Sequence, residues 1–301
     1  SIQDYAQVRT KINFNPKGKV AVIYVDGEIV DGNDIMQVAG DRFAKIIADV
    51  RRDSSVKAAV LRVNSPGGSV LASEKIKAEL DLLREYKPII ASYGDYAASG
   101  GYWISANCDK IYSNASTLTG SIGVFSMIPD VSGALKNKLH VNVTTVNSNA
   151  HSDLYSLIKP LDAAETAYMQ ASVENIYERF TSIVAEGRDM TVEAVDAIAQ
   201  GRVWTGAEAE GIGLVDQIGT LTDALDYAAI SIDGVTGIND VQIVEYPKPQ
   251  TSLEMLLEML GTGNAVFAGT PFENVEKAFK GWDHSQAGKA YARMPYEITI
   301  R

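Results

Sequence analysis

Two successive strand-to-helix units, each with a glycine-rich turn, limit the folds that this chain can adopt. The first passes from an apolar segment at 58–63 through Asn64-Ser65-Pro66-Gly67-Gly68-Ser69 into a helical pattern at 70–86. The second passes from an apolar segment at 88–93 through the turn 94–99 into the start of a helix at 100–107. Strands that alternate with helices pair in parallel and are buried on both faces. The pattern therefore predicts an α/β fold with a largely parallel sheet.

The alternation continues on both sides of these units. We expect further strands at 19–25, 110–113, 122–125 and 141–146, and helices at 40–51, 131–138, 161–188, 192–199 and 221–230. The 301 residues can hold one large α/β core or two small domains. After Tyr246 the sequence Pro247-Lys248-Pro249 ends the pattern, and a short helix is expected at 253–260.

The second turn holds a serine, Ser99, between pairs of very small residues, Ala97-Ala98 and Gly100-Gly101. A serine at a strand-to-helix junction presents its hydroxyl outward, and the N–H groups of the next turn have no helical partners. A nucleophilic serine beside an oxyanion-binding site has this arrangement. The alternative interpretation is a helix N-cap serine in a turn of small residues.

The first turn supplies the other half of such a site. Gly67 and Gly68 allow positive φ and a close approach of backbone to a ligand. An N–H group of one of them, together with the N–H of Gly100, could bind a developing oxyanion. An ordinary turn is the alternative for a lone Gly-Gly pair, but two such turns in successive units, one with a serine, favour acyl chemistry.

The chain resembles bacterial signal peptide peptidase, also called protease IV, over about residues 20–229. The resemblance rests on five segments: Leu61-Arg62-Val63-Asn64-Ser65-Pro66-Gly67-Gly68-Ser69, Ala97-Ala98-Ser99-Gly100-Gly101-Tyr102-Trp103-Ile104-Ser105, Leu118-Thr119-Gly120-Ser121-Ile122-Gly123, Gly201-Arg202-Val203-Trp204-Thr205-Gly206 and Gly213-Leu214-Val215-Asp216. It implies a Clp protease/crotonase-like fold of repeated β-β-α units. It also implies an oligomeric, membrane-associated serine peptidase that degrades remnant signal peptides.

The resemblance further implies a Ser/Lys dyad, in which burial keeps a lysine neutral so that it can act as the base. Short members of the family carry this lysine about fifty residues after the serine, but the segment 147–154 here contains none. The lysines between Ser99 and Pro247 are Lys110, Lys136, Lys138 and Lys159, and none stands at the expected place. Ser121 corresponds to the family serine that contacts the lysine and orients it. A turn serine bonded to its own backbone is the alternative.

Long members of the family have two homologous halves, with the serine in the second half and the lysine in the first. We therefore interpret the chain as the second half, with its base supplied by an N-terminal half. On this interpretation residues 1–18 are a linker from that half, 19–246 form the catalytic domain, and 247–301 are a helical C-terminal extension for assembly. Two alternatives stay open: His151 replaces the lysine, or the chain is a catalytically silent crotonase-like module for assembly or peptide binding.

The composition limits which partners and cofactors the chain is expected to bind. The net charge of −11 argues against nucleic acid. The single Cys108 excludes an internal disulfide, and no Cys/His cluster indicates zinc, so neither a metal nor another cofactor is expected. No apolar run reaches the ~20 residues that span a bilayer. The expected location, the periplasmic face of the bacterial inner membrane, follows from the resemblance alone.

Overall fold

A computed structural model describes residues 15–248 and a strand at 290–293. The described chain forms two compact units. The first contains residues 15–124, 176–247 and 291–293, and the second contains 125–175 together with 248 and 290. The helix expected at 253–260 and most of the expected linker lie outside the described residues.

The regular elements follow each other in the expected alternation. The strands are β1 (Lys19–Asp26), β2 (Ile29–Val30), β3 (Val38–Ala39), β4 (Val56–Ser65), β5 (Gly67–Ser69), β6 (Ile89–Ala98), β7 (Lys110–Ser113), β8 (Leu118–Gly120), β9 (Phe125–Ser126), β10 (Val203–Thr205), β11 (Gln217–Ile218), β12 (Gln242–Tyr246) and β13 (Ala290–Arg293). The helices are α1 (Gly40–Arg52), α2 (Val70–Arg84), α3 (Gly100–Ser105), α4 (Ser132–Asn137), α5 (Ala163–Arg188), α6 (Val192–Ile198), α7 (Gly206–Gly211) and α8 (Leu221–Ile230), with a short 3₁₀ turn at Ile238–Asp240.

The first unit is built on a sheet with the strand order β10-β8-β6-β4-β1-β12, to which β7 and β11 are added beside β6. Its described pairs are parallel except for β8 with β10. A second, smaller group of strands, β3-β2-β5-β13, contains the glycines of the first turn. The predicted α/β fold with a largely parallel sheet is confirmed.

Both faces of the large sheet are covered, because side chains alternate along its central strands. In β1, Ala21, Ile23 and Val25 pack into the core under α1, α2, α3 and the second half of α5. Val20 and Val22 pack on the opposite face, which α8 covers. This double burial explains why the strands appear in the sequence as nearly continuous apolar runs.

Three strand predictions need correction. The strand predicted at 88–93 does not end at Tyr93, because β6 continues to Ala98. Gly94 lacks a side chain and leaves room for Asn64, whose Oδ1 accepts hydrogen bonds from the N–H groups of Asp95 (3.1 Å) and Tyr96 (3.4 Å). The strand therefore passes through this register shift instead of turning.

The prediction at 141–146 is wrong, and the prediction at 122–125 overlaps the two-residue strand β9 only at Phe125. The strand forms at β8 instead, where residues 118–120 pair with both β6 and β10. Val141, Val143 and Val146 are exposed and have no regular secondary structure. The alternation of apolar residues is not sufficient to form a strand here, because a strand is stabilised by its cross-strand neighbours. Among the described helices, none is long and apolar enough to span a membrane.

Candidate active site

Ser99 lies directly between β6 and α3, where the sequence places it. Its backbone is at φ 55° and ψ −115°, a conformation that tight turns normally reserve for glycine. Neighbouring groups hold it there: the Ser99 N–H donates to Gly120 O (2.8 Å), and the Ser99 carbonyl accepts from the Trp103 N–H (2.8 Å). A strained backbone of this kind costs about 1–3 kcal/mol and is typical of functional positions.

The Ser99 hydroxyl is buried, and no atom of the described residues forms a hydrogen bond with its Oγ. Ser99 stands at the N-cap position of α3, as the alternative interpretation expects, but its side chain forms no capping hydrogen bond. A buried hydroxyl without a partner costs free energy and calls for an explanation. A reactive role for the Ser99 Oγ is the explanation that the strained turn and the nearby glycines support.

The Gly67-Gly68 turn is fitted closely to the neighbouring backbone. A Cβ on Gly68 would lie 1.9 Å from the carbonyl oxygen of Ile29, so only glycine fits there. The N–H of Gly67 donates to Ser65 Oγ at 3.2 Å. Gly68 itself pairs with Ile29 of β2 and Ala292 of β13. The close fit of its backbone makes it the first of the two candidates for an oxyanion donor.

The two glycine turns meet at one edge of the sheet. Ser65 at the end of β4 pairs with Ala97, two residues before Ser99. A Cβ on Gly101 would lie 2.8 Å from Ser65 O, which shows how closely α3 approaches β4, and α3 also contacts β5. The fold thus brings the turn that contains Gly67 and Gly68 close to α3, which begins at Gly100.

Ser121 lies beside Ser99. The residues immediately before them, Gly120 and Ala98, pair in the parallel strands β8 and β6, so both serines leave the sheet at the same edge. Ser121 is also buried, has a positive φ of 48°, and donates its N–H to Arg202 O (2.7 Å). This position agrees with a role near the nucleophile, whereas its predicted contact with a lysine stays a prediction.

The glycine turn pairs with an extended segment of the same chain. In β13, Tyr291, Ala292 and Arg293 pair antiparallel with Ser69, Gly68 and Gly67. On its other side β5 pairs with β2. The pairing of β13 with β5 has the geometry of recognition by strand addition, with β13 in the place of the added strand.

Lys159 and His151, both in the second unit, belong to a cluster at the start of α5. The Lys159 Nζ lies 2.8 Å from Asp153 Oδ1 and 3.0 Å from Glu165 Oε1, and His151 Nδ1 lies 3.2 Å from the same Glu165 oxygen. These contacts raise the pKa of Lys159, Asp153 contributing most. A general base needs the opposite shift, so Lys159 is unsuited to that role.

The same cluster caps α5. The Glu165 N–H donates to Asp162 Oδ1 (2.8 Å), and Glu165 Oε2 accepts from the Asp162 N–H (2.9 Å), which is a reciprocal capping pair. His151, Asp162 and Glu165 are close enough together to hold a metal ion. Since the Lys159 ammonium already contacts Glu165, we assign the cluster to helix capping.

Protonation of Glu165 is expected to destabilise this cap. The Asp162 N–H and then the Lys159 ammonium lower the pKa of Glu165. A carboxylate with a lowered folded-state pKa contributes its full stabilisation above the ordinary glutamate value of about 4.3 and loses it as the pH falls through the folded-state value. Thermal melts of wild type and Glu165→Gln should differ in Tm by a constant amount at neutral pH and converge below about pH 4. Glu174→Gln, at an exposed position of the same helix, is the control; an equal difference at about pH 3 and pH 7 would contradict the assignment.

Sequence reasoning missed the side chains that support the site. Asn64 stabilises the register shift of β6, and its Nδ2 donates to Asp26 Oδ1 (2.8 Å). Glu74 accepts a hydrogen bond from the Trp103 indole (2.9 Å). The position of Asn64 directly after a strand was a usable signal, whereas the partnership of Glu74 with Trp103 depends on how two helices pack.

A strained, buried serine near a glycine turn in a largely parallel α/β sheet is the arrangement expected of a serine acyl-transfer enzyme. Comparison with known proteins agrees: residues 81–233, about half of the chain, match the family described as Peptidase family S49. The chain belongs to peptidase family S49.

Individual relatives support the assignment. The chain is 43% identical to Protease 4 from Salmonella typhi over 245 residues, which cover 81% of this chain and 39% of that protein. It is 36% identical to "Putative signal peptide peptidase SppA" from Enterococcus faecium, with 77% of this chain and 68% of that protein covered. The chain thus spans about two fifths of the Salmonella relative. Among solved structures, a mutant of ClpP1 from Listeria monocytogenes matches with a TM-score of 0.46 and 16% identity, over 67% of this chain and 93% of that one.

Proposed function

We propose that this chain supplies the nucleophile and the oxyanion site of a serine endopeptidase that cleaves extended apolar peptides, among them remnant signal peptides. The proposal depends on one observation: the Ser99 hydroxyl is buried without a hydrogen-bond partner among the described residues, in a strained turn near the Gly67-Gly68 turn. Membership of peptidase family S49 and the pairing of an extended segment, β13, with β5 support a peptide substrate.

In the proposed reaction the Ser99 Oγ attacks the scissile carbonyl carbon and gives up its proton to a base. The N–H groups of Gly68 and Gly100 stabilise the negative charge that develops on the carbonyl oxygen. The base returns the proton to the leaving amine, and water then hydrolyses the Ser99 ester by the same route in reverse. Ser121 orients the base.

The base is the part of this mechanism that the described residues do not supply. Lys159 is stabilised in its charged form, and His151 and Lys159 both contact the α5 cap. We therefore propose a lysine from an N-terminal half of the same protein, as the long members of the family arrange it. The Salmonella relative is longer than this chain, and its size accommodates such a half. The proposed setting is a homo-oligomer at the periplasmic face of the inner membrane.

Labelling with a fluorophosphonate probe tests this division of the site. We expect weak labelling of the 301-residue chain and strong labelling of a protein that also contains the N-terminal half. In both cases Ser99→Ala should remove the label. Rapid labelling of the chain alone would show that its own residues, His151 among them, provide the base. If the two-half protein shows no label while it binds an extended peptide, the chain is a peptide-binding module instead.

A further inference from the structure

The helix that follows the nucleophile is too short to be positioned by its own hydrogen bonds. Helix α3 has only six residues, and Trp103 lies in its first turn, where its backbone N–H donates to the Ser99 carbonyl. Short helices depend on tertiary packing for their stability. What fixes Trp103 therefore also fixes the peptide groups of Ser99 and Gly100.

Two contacts fix the Trp103 side chain. Its ring is buried and lies against the ring of Phe180, with centroids 4.7 Å apart and planes inclined by 43°. Its indole Nε1–H donates to Glu74 Oε2 at 2.9 Å. The other carboxylate oxygen of Glu74 accepts from Arg179 Nη2 at 2.8 Å. The charge of Glu74 strengthens the bond to the indole, and Arg179 holds the carboxylate in orientation.

Glu74 connects the two halves of the proposed oxyanion site. It belongs to α2, and the N-cap of that helix, Ser69, directly follows Gly68. Trp103 belongs to α3, which begins at Gly100 directly after the nucleophile. A hydrogen bond between Glu74 and Trp103 thus links α2, which begins two residues after Gly68, to α3, which begins at Gly100.

We propose that Glu74 is a positioning residue for catalysis: through the Trp103 indole it sets the distance between the Gly68 and Gly100 N–H groups and the orientation of Ser99. This inference rests on the proposed function of Ser99. Displacement of catalytic groups by about 1 Å can lower a rate on the order of 100-fold, so loss of a hydrogen bond that holds the short helix α3 against α2 has a measurable effect on turnover.

The test uses a form of the protein in which Ser99 reacts with the fluorophosphonate probe or hydrolyses a peptide. Glu74→Leu should lower kcat about tenfold or more with little change in KM. The hydrogen bond from Trp103 to Glu74 positions the groups that stabilise the transition state and does not contribute to substrate binding. Glu74→Gln keeps an oxygen acceptor for the indole and should recover most of the rate. Trp103→Phe keeps an aromatic ring against Phe180 but removes the donor, and should reproduce the loss.

Two comparisons separate positioning from a merely structural role. Glu79→Leu removes another carboxylate of α2, one that bonds Arg51 of α1 at 3.3 Å, and should alter stability without lowering kcat. The double variant Glu74→Leu with Trp103→Phe should be no slower than either single variant, because both remove the same bond. Additive losses, a changed KM with an unchanged kcat, or equal effects of Glu74→Leu and Glu79→Leu would overturn the proposal.

A readout without catalysis distinguishes failure of this inference from failure of the proposed function. The Trp103 indole N–H is observable by NMR, and the indole of Trp204, which donates to Ile198 O (3.0 Å), provides an internal reference. Glu74→Leu should accelerate hydrogen exchange of the Trp103 indole and leave that of Trp204 unchanged. Unchanged exchange at Trp103 would overturn the positioning role whether or not Ser99 proves to be a nucleophile.

Discussion

Replacing Ser99 with alanine is expected to lower peptide hydrolysis by a factor of about 10⁴ or more, the scale on which serine hydrolases lose rate without their nucleophile. The hydroxyl is buried and its Oγ bonds to no atom of the described residues, and alanine offers no oxygen in its place. The loss should appear in kcat, since a single hydroxyl contributes little to holding an extended peptide.

The same substitution should not destabilise the fold. Removal of a buried hydroxyl without a partner relieves a desolvation cost. Ser99→Gly goes further, because glycine adopts the backbone conformation at this turn without strain, and it should raise the free energy of unfolding by about 1 kcal/mol while it abolishes activity. Urea denaturation of the three proteins measures this gain. Opposite changes in stability and activity would indicate that the strain at Ser99 is retained for its chemistry.

Ser113→Ala is the matched control for hydrolysis. Ser113 is also buried at the end of a strand, but its hydroxyl donates to the carbonyl of Asn114 (3.0 Å). We expect near-normal turnover from this variant. If Ser99→Ala retained the rate of Ser113→Ala in a protein of proven activity, Ser99 would not be the nucleophile.

The sequence was informative where the fold demands small residues. Gly68 faces the Ile29 carbonyl and Gly101 faces Ser65 O, so the glycines that marked the two turns are required by backbone contacts. The small residues around Ser99 reflect the same close packing, which buries this serine in a strained turn. Buried central strands were equally easy to predict, since double burial requires continuous apolar runs.

Other features depend on contacts that no local pattern reveals. The extension of β6 through Gly94 requires the side chain of Asn64, thirty positions earlier in the chain. The apolar alternation at 141–146 suggested a strand, yet these residues remain exposed, because strand formation depends on a partner edge. Ser121 could be assigned only through its family motif, since its position beside Ser99 follows from the pairing of β6 with β8.

Replacing Gly68 with alanine is the second change with a large expected effect. A Cβ at this position would lie 1.9 Å from the Ile29 carbonyl oxygen. The Cβ is fixed rigidly to the backbone of residue 68, and the oxygen belongs to the backbone of Ile29, so neither atom can move without a shift of the main chain. The turn must shift, and the Gly68 N–H leaves the position where it would stabilise the oxyanion. Loss of one such donor lowers kcat by about 10²–10³-fold in serine hydrolases, and we expect a loss of at least this size.

The control must separate the site from the general effect of an added methyl group. Gly234 also has a positive φ (74°), but a Cβ there would meet no atom within 4 Å. Gly234→Ala should therefore cost only backbone strain, about 1–2 kcal/mol in stability, with turnover unchanged. Circular dichroism and thermal melts show what fraction of each variant is folded, and rates are compared per folded molecule.

Gly67→Ala ranks the two oxyanion candidates. The Gly67 N–H is bonded to Ser65 Oγ, and the tight fit of Gly68 against the Ile29 carbonyl makes Gly68 the first candidate for a donor to the oxyanion. We therefore expect a smaller loss of kcat per folded molecule from Gly67→Ala than from Gly68→Ala. A larger loss at Gly67 would exchange the two roles. Full activity in folded Gly68→Ala would show that the glycine turn is not part of the active site. A turn that can shift without loss of rate does not hold the donor that stabilises the transition state.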